Sequence, residues 1–224
     1  MKRLTLFAGH YGSGKTNLAL NYALHLRKTF SKRVAIADLD IVNPYFRTKD
    51  FERNLSEEGI SLIVSEFANS NVDFPAMPKE AYQLFADKDV NVVVDVGGDD
   101  RGALALGRYV DAIKEENDYE MVAVVNSSRV LTRTPCETVE VLREIESASK
   151  LKFTCIANNT NLGLETTSEV ILNSAPYAEE ISRIMEIPVK MTVCSKELES
   201  ELAGRVKGRV FPVDVLRLYY HLEK

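Results

Sequence analysis

Eight residues near the start of the chain, Gly9-His10-Tyr11-Gly12-Ser13-Gly14-Lys15-Thr16, constrain its fold more than any other stretch. They fit the spacing G-x-x-x-x-G-K-[ST], in which a glycine-rich turn wraps backbone amides around phosphate oxygens. The spacing assigns each residue a task. Gly9, Gly12 and Gly14 let the amides turn inward, Lys15 reaches the β- and γ-phosphates, and the Thr16 hydroxyl holds Mg²⁺. A helix beginning near Gly14 aims its first amides and its dipole at the anion. His10, Tyr11, Ser13 and Asn17 then belong to the same nucleotide-binding shell. Such a loop works between a strand and a helix. Leu4–Ala8 is an apolar run before it, and Leu18, Ala19, Tyr22, Ala23 and Leu26 share one helical face after it.

The same alternation continues along the chain. Further apolar runs are Val34–Ala37, Leu62–Val64, Val92–Val96, Met121–Val125, Phe153–Ala157 and Val189–Val193. Several lack the period-two alternation of a half-exposed strand, as strands covered on both faces should. Helical patterns fall between them. One includes Tyr82 to Phe85, and another covers Ala103 to Ile113. Thr134-Pro135-Cys136-Glu137 has the form of a capping box with proline at the first helical position, followed by Val141, Leu142 and Ile145 on one face. Pro176 opens a further helix striped by Tyr177, Ile181, Ile184 and Met185, and a last helix is expected from Val213 to Leu222. The pattern predicts one α/β domain over residues 1–224: three α/β/α layers, doubly wound, around a mostly parallel sheet of about seven strands. Ligands of such sheets bind outside the carboxyl ends of the strands.

Composition narrows the function classes. A net charge of −5 gives no general attraction to nucleic acid or anionic lipid. Arg205, Lys207 and Arg209 form the one tight basic group, read as a solvated turn around Gly208. Cys136, Cys155 and Cys194 are odd in number and far apart, and the three histidines lack ligand spacing, so neither a disulfide framework nor a structural metal site is expected. The first residues are too short and too interrupted for a signal peptide, and no apolar run has membrane-spanning length. The expected compartment is the cytoplasm, with no nucleic acid and no membrane anchor.

Two acidic segments add to the phosphate loop. Val34 to Asp40 is an apolar run ending in Asp38 and Asp40, and Val92 to Gly98 ends in Asp95, Gly97 and Gly98. An aspartate at the carboxyl end of a strand can face the Mg²⁺ shell or orient a water, and paired glycines let the chain approach a γ-phosphate.

With these three segments in order, the chain resembles the MinD/ParA/CobQ group of P-loop ATPases, which includes the nitrogenase iron protein and related scaffold ATPases. The resemblance implies the P-loop NTPase fold with Mg²⁺ and ATP as cofactors. It implies Lys15 and Asp40 as catalytic residues, Asp40 orienting the attacking water. It implies Thr16, Asp40 and Asp95 around the metal, and Asp95 as the Walker B aspartate. Asn158 or Asn159, after Phe153–Ala157, would read the adenine, and the loop Val193 to Lys196 would form the facing wall of the base pocket. One position departs from the group. Its signature lysine, just after the first glycine, is here His10. That lysine reaches a partner's nucleotide across a dimer, so its replacement implies slow ATP hydrolysis and no tight ATP-driven sandwich dimer. Arg101, Arg129 and Arg133 are the cations that could stand in for it.

Two classes of function fit. The first is a slow ATPase acting as a nucleotide-dependent switch for a protein partner, with a homodimer possible. The second is a small-molecule kinase or ATP-dependent ligase, whose acceptor Asn43, Arg47, Asp99, Asp100 and Arg101 could line. A guanine-specific site is disfavoured because the chain has no Asn-Lys-x-Asp sequence, and a metallochaperone because it has no Cys/His cluster.

Overall fold

The computed structural model describes residues 2–39, 48–64, 84–98 and 100–214, without the side chains of Lys49, Asp50, Asp100 and Arg101. The strands are β1 (Leu4–Ala8), β2 (Arg33–Leu39), β3 (Ile60–Val64), β4 (Val90–Val96), β5 (Tyr119–Val125), β6 (Cys155–Asn158), β7 (Val189–Ser195) and β8 (Arg209–Val213). They form one sheet in the order β3-β2-β4-β1-β5-β6-β7-β8, and each neighbouring pair is parallel.

Helices cover both faces. Helix α1 (Lys15–Thr29) and the short α2 (Glu52–Glu57) lie on one side with Leu18, Tyr22, Leu26 and Leu55 against Phe7, Ile36 and Val93. The other side carries α3 (Asp100–Gly107), α4 (Val110–Glu116), α5 (Pro135–Ser149) and, after the short α6 (Ser168–Asn173), α7 (Ala175–Met185). Their Leu106, Ile113, Leu142 and Ile181 pack on Leu6, Val94 and Ala123. Double coverage explains why all seven residues of β4 are buried. Each Val it removes from water contributes about 1.5–3 kcal/mol before chain entropy is counted. Helix α8 (Glu199–Leu202) lies between β7 and β8.

Local rules account for several boundaries. Thr134 Oγ1 accepts from the Glu137 amide while Glu137 Oε2 accepts from the Thr134 amide at 3.0 Å, so the expected capping box opens α5. Such a cap contributes about 1 kcal/mol. The helical pattern expected over Ala103 to Ile113 is divided between two helices. Gly107 ends α3 where the chain passes close to the end of α5: an added Cβ there would lie 3.2 Å from the Ala148 carbonyl. Tyr109 then turns inward against Phe85, ring centroids 5.2 Å apart.

The sheet also has one strand more than expected. Val213 belongs to β8 and does not begin a helix; residues 215–222 of that expected helix lie outside the described ones. Pro212 hides β8 in the sequence, because proline cannot donate to a ladder. At the sheet edge the strand needs only one ladder, with β7. Arg205, Lys207 and Arg209 are exposed around Gly208, which turns the chain at φ 71°. Of the Tyr82–Phe85 pattern, Leu84 and Phe85 are described, and both are helical.

Strand β1 holds a special place in this order. From it the chain winds toward β2 and β3 on one side, and later toward β5 through β8 on the other. The loop Gly9–Thr16 leaves the sheet at that reversal, where open α/β sheets form their ligand crevice.

Candidate functional site: a phosphate loop and an adjoining cavity

The loop between β1 and α1 has the backbone that its glycines permit. Gly12 and Gly14 take φ of 75° and 87°, and Gly14 is the left-handed N-cap of α1 with no side-chain cap on the first amides. An anion at this end of α1 would meet backbone amides and the positive end of the helix dipole. The His10 carbonyl accepts from the Ser13 amide and from Lys15 Nζ, each at 3.2 Å, which closes the turn on itself. Lys15 is 4% exposed and Thr16 is buried, while Tyr11 stands out into solvent. His10 is half-buried, with Nδ1 against the Tyr11 carbonyl at 2.8 Å.

The carboxylates arrive from the neighbouring strands. Asp38 and Asp95 are register partners across β2 and β4, and Asp95 is also the partner of Phe7 in β1. Register partners project to the same face of a sheet. Phe7, Ile36 and Val93 pack under α1, so both aspartates face the side on which α1 begins with Lys15 and Thr16. Asp95 is fully buried and Asp38 nearly so. Gly97 and Gly98 follow β4. A Cβ on Gly98 would lie 2.7 Å from the Tyr11 amide nitrogen and 2.8 Å from Lys15 Nζ, so this turn touches the phosphate loop from above. Asp40, Asn43, Arg47 and Asp99, and the side chains of Asp100 and Arg101, lie outside the described residues.

The two asparagines after β6 separate. Asn158 continues the parity of Ile156 and projects to the face of α5 and α7. There its Nδ2 donates to Ser174 Oγ at 2.8 Å and its Oδ1 accepts from the Thr160 amide and hydroxyl. Asn159 turns the other way, and its Nδ2 donates to the Ser13 carbonyl at 2.7 Å. Asn159 and Gly14 line a cavity of about 570 Å³, of the size that small-molecule ligands occupy. Val193, Cys194 and Ser195 form a facing wall, joined by Glu197, while Lys196 turns its Nζ to Asp214 Oδ2 at 2.6 Å. Burial, with the Glu199 and Glu197 carboxylates, pushes the Cys194 thiol up to about 11, so that wall presents a neutral thiol.

No protein-family model and no curated protein matches the chain. Solved structures do. The signal recognition particle 54 kDa protein of Aeropyrum pernix K1, in complex with GDP, aligns with a TM-score of 0.54 at 18% identity, over 84% of this chain and 40% of that one. FtsY of Thermotoga maritima aligns at 0.53 and 19%, over 86% and 62%. FtsY of Mycoplasma mycoides aligns at 0.53 and 16%, over 86% and 60%. This chain spans less than two thirds of the length of each. What they share with this chain is the fold, one mostly parallel α/β sheet covered by helices.

The chain has the P-loop NTPase fold. Within that fold the cavity is walled by residues that sequence reasoning missed. Asn161 and Asp214 line it. Asn21, on α1, clamps Asp214 by donating from Nδ2 to its carbonyl at 2.9 Å and accepting from its amide at 2.8 Å. A buried asparagine beside the apolar stripe of α1 was the available signal. Its partner 193 residues away was not readable from the sequence. Among the described residues no cluster of three His, Cys, Asp or Glu could hold a metal ion, and no helix is long and apolar enough to cross a membrane.

Proposed function

We propose that this chain is a single-domain, cytoplasmic Mg·ATP-binding NTPase of MinD/ParA-like type, which hydrolyses ATP slowly and acts as a nucleotide-dependent switch for a protein partner. The observation that carries the reading is the continuity of the Gly9–Thr16 loop with the cavity beside Asn159, so that phosphates and base have adjoining seats. Lys15 and the first amides of α1 hold the phosphates. Thr16, Asp95 and Asp38 offer a hydroxyl and carboxylates, the hard oxygen donors that suit Mg²⁺. The ion would neutralise phosphate charge, and Asp40 would orient the attacking water. Asn159 spends its Nδ2 on Ser13, which leaves Oδ1 to accept from the adenine amine. Gly98 brings the segment after Asp95 onto the phosphate loop, a contact that a γ-phosphate would alter and so pass to a partner.

Titration of the full chain with fluorescent mant-ATP and mant-GTP, alongside Lys15→Ala, tests this. The expected result is Mg²⁺-dependent binding with ATP preferred and Lys15→Ala inert. Equal or tighter GTP binding removes the adenine assignment, for which the Glu197 and Asp214 carboxylates lining the cavity are the physical alternative. Unchanged binding by Lys15→Ala removes Gly9–Thr16 as the site.

A further inference from the structure

The segment after β5 meets the phosphate loop from the side opposite Gly98. It carries Arg129. A Cβ placed on Gly12 would lie 3.7 Å from Arg129 Nε and 3.8 Å from its Cδ, so this side chain runs along the open face of the loop at its middle glycine. Arg129 also lines the 570 Å³ cavity with Gly14 and Asn17. Its guanidinium makes no hydrogen bond or ion pair with any described residue, although Glu197 and Asp214 line the same cavity.

The backbone that presents it is held firmly. The Arg129 amide donates to the Asn126 carbonyl at 3.3 Å, and its own carbonyl accepts from the Thr132 amide at 3.2 Å. Ser128 is held by Asn126 Oδ1 at 2.9 Å and Ser127 by Thr160 Oγ1 at 3.1 Å. A fixed backbone with an unpaired cation beside a phosphate loop is a preorganised charge. Of the other two candidate cations, Arg133 sits beside the Glu137 carboxylate on the first turn of α5, and the side chain of Arg101 lies outside the described residues.

We infer that Arg129 is the cation that this chain supplies to its own nucleotide phosphates, in place of a lysine at position 10. This rests on the reading of Gly9–Thr16 as a nucleotide site. Arg129 binds triphosphate charge in cis, so the site needs no second copy to complete it. An arginine so placed stabilises charge on the transferring phosphoryl group, an effect of roughly 10³–10⁵ in turnover where such arginines have been removed.

The test uses the full chain, its Arg129→Ala, Arg129→Gln and Arg129→Lys variants, competition by ATP and by adenosine against mant-ATP, and phosphate release. Removing the charge should weaken ATP about tenfold or more, change adenosine by less than about twofold, and cut turnover by at least about 10²-fold. Lysine should restore part of the affinity but little of the turnover, because it lacks the planar fork of guanidinium. Should Arg129→Ala and Arg129→Gln bind ATP and release phosphate like the parent while Lys15→Ala loses ATP, the inference falls and the nucleotide reading stands. A parent that binds no ATP overturns both.

Discussion

Asn159 Nδ2 lies 2.7 Å from the Ser13 carbonyl and joins the end of β6 to the phosphate loop across 146 residues of sequence. The same nitrogen occupies the space a Cβ on Gly14 would need. One side chain thus braces the loop, borders the cavity and imposes glycine at the N-cap of α1.

The neighbouring asparagines should therefore fail in different ways. Asn158→Ala removes a buried amide from Ser174 and Thr160 and should cost about 1–3 kcal/mol of stability, with nucleotide affinity nearly unchanged. Asn159→Ala should weaken nucleotide about tenfold, with a smaller loss of stability. Urea unfolding and nucleotide titration of both variants decide it. The assignment is wrong if Asn158→Ala is the one that loses affinity.

Gly98→Ala should damage the site through sterics alone. Its Cβ meets the Tyr11 backbone and Lys15 Nζ inside 3 Å, so the phosphate loop must shift. Overpacking of this kind costs roughly 1–3 kcal/mol. Nucleotide affinity should fall at least about tenfold, and full affinity in Gly98→Ala would show that the two segments are not coupled.

Thiol chemistry should separate the three cysteines. Cys136 is exposed, whereas Cys155 and Cys194 are buried. Burial, with Glu120 nearby, raises the Cys155 thiol to about 11, and burial with Glu199 and Glu197 raises Cys194 equally far. At neutral pH iodoacetamide should label Cys136 alone in the folded chain, as mass spectrometry can read. Both shifts also set an alkaline limit. The folded chain holds these protons above the ordinary thiol range of about 8.5, so stability is intact below that pH and is lost as pH rises toward about 11. A urea midpoint that stays flat from pH 8 to 11 would contradict this.

Far from the nucleotide site, Arg3 should be the costliest charged residue to lose. Its buried guanidinium meets Glu116 at 2.7 Å and the carbonyls of Leu84, Phe85, Asp87 and Val90. Arg3→Met strands a carboxylate that is almost as buried and should cost about 3–5 kcal/mol. Nucleotide affinity of the folded fraction should hold. A loss under about 1 kcal/mol in urea unfolding would mean that this network is not a keystone of the β1–β4 junction.

Much of this molecule is local in origin and was legible as such. The phosphate loop is contiguous, so its spacing alone specifies the turn and the helix that follows. Runs such as Val92–Val96 announce strands buried on both faces, and Thr134 with Glu137 announces a helix start, because a capping box spans three residues. What depended on partners distant in sequence was decided only in the folded chain. Strand β8 escaped notice because Pro212 is tolerated solely at a sheet edge, and a sequence does not say which strand is the edge. The break at Gly107 needed the end of α5 beside it. The roles of Asn158 and Asn159 turned on strand parity, since successive residues leave a sheet on opposite faces and only the packing of α1 against one of them says which face holds the phosphates. Arg129 is the plainest case: as a candidate cation it stands level in the sequence with Arg101 and Arg133, and it is distinguished by a loop that lays it along Gly12, a contact that exists only once β5 lies beside β1.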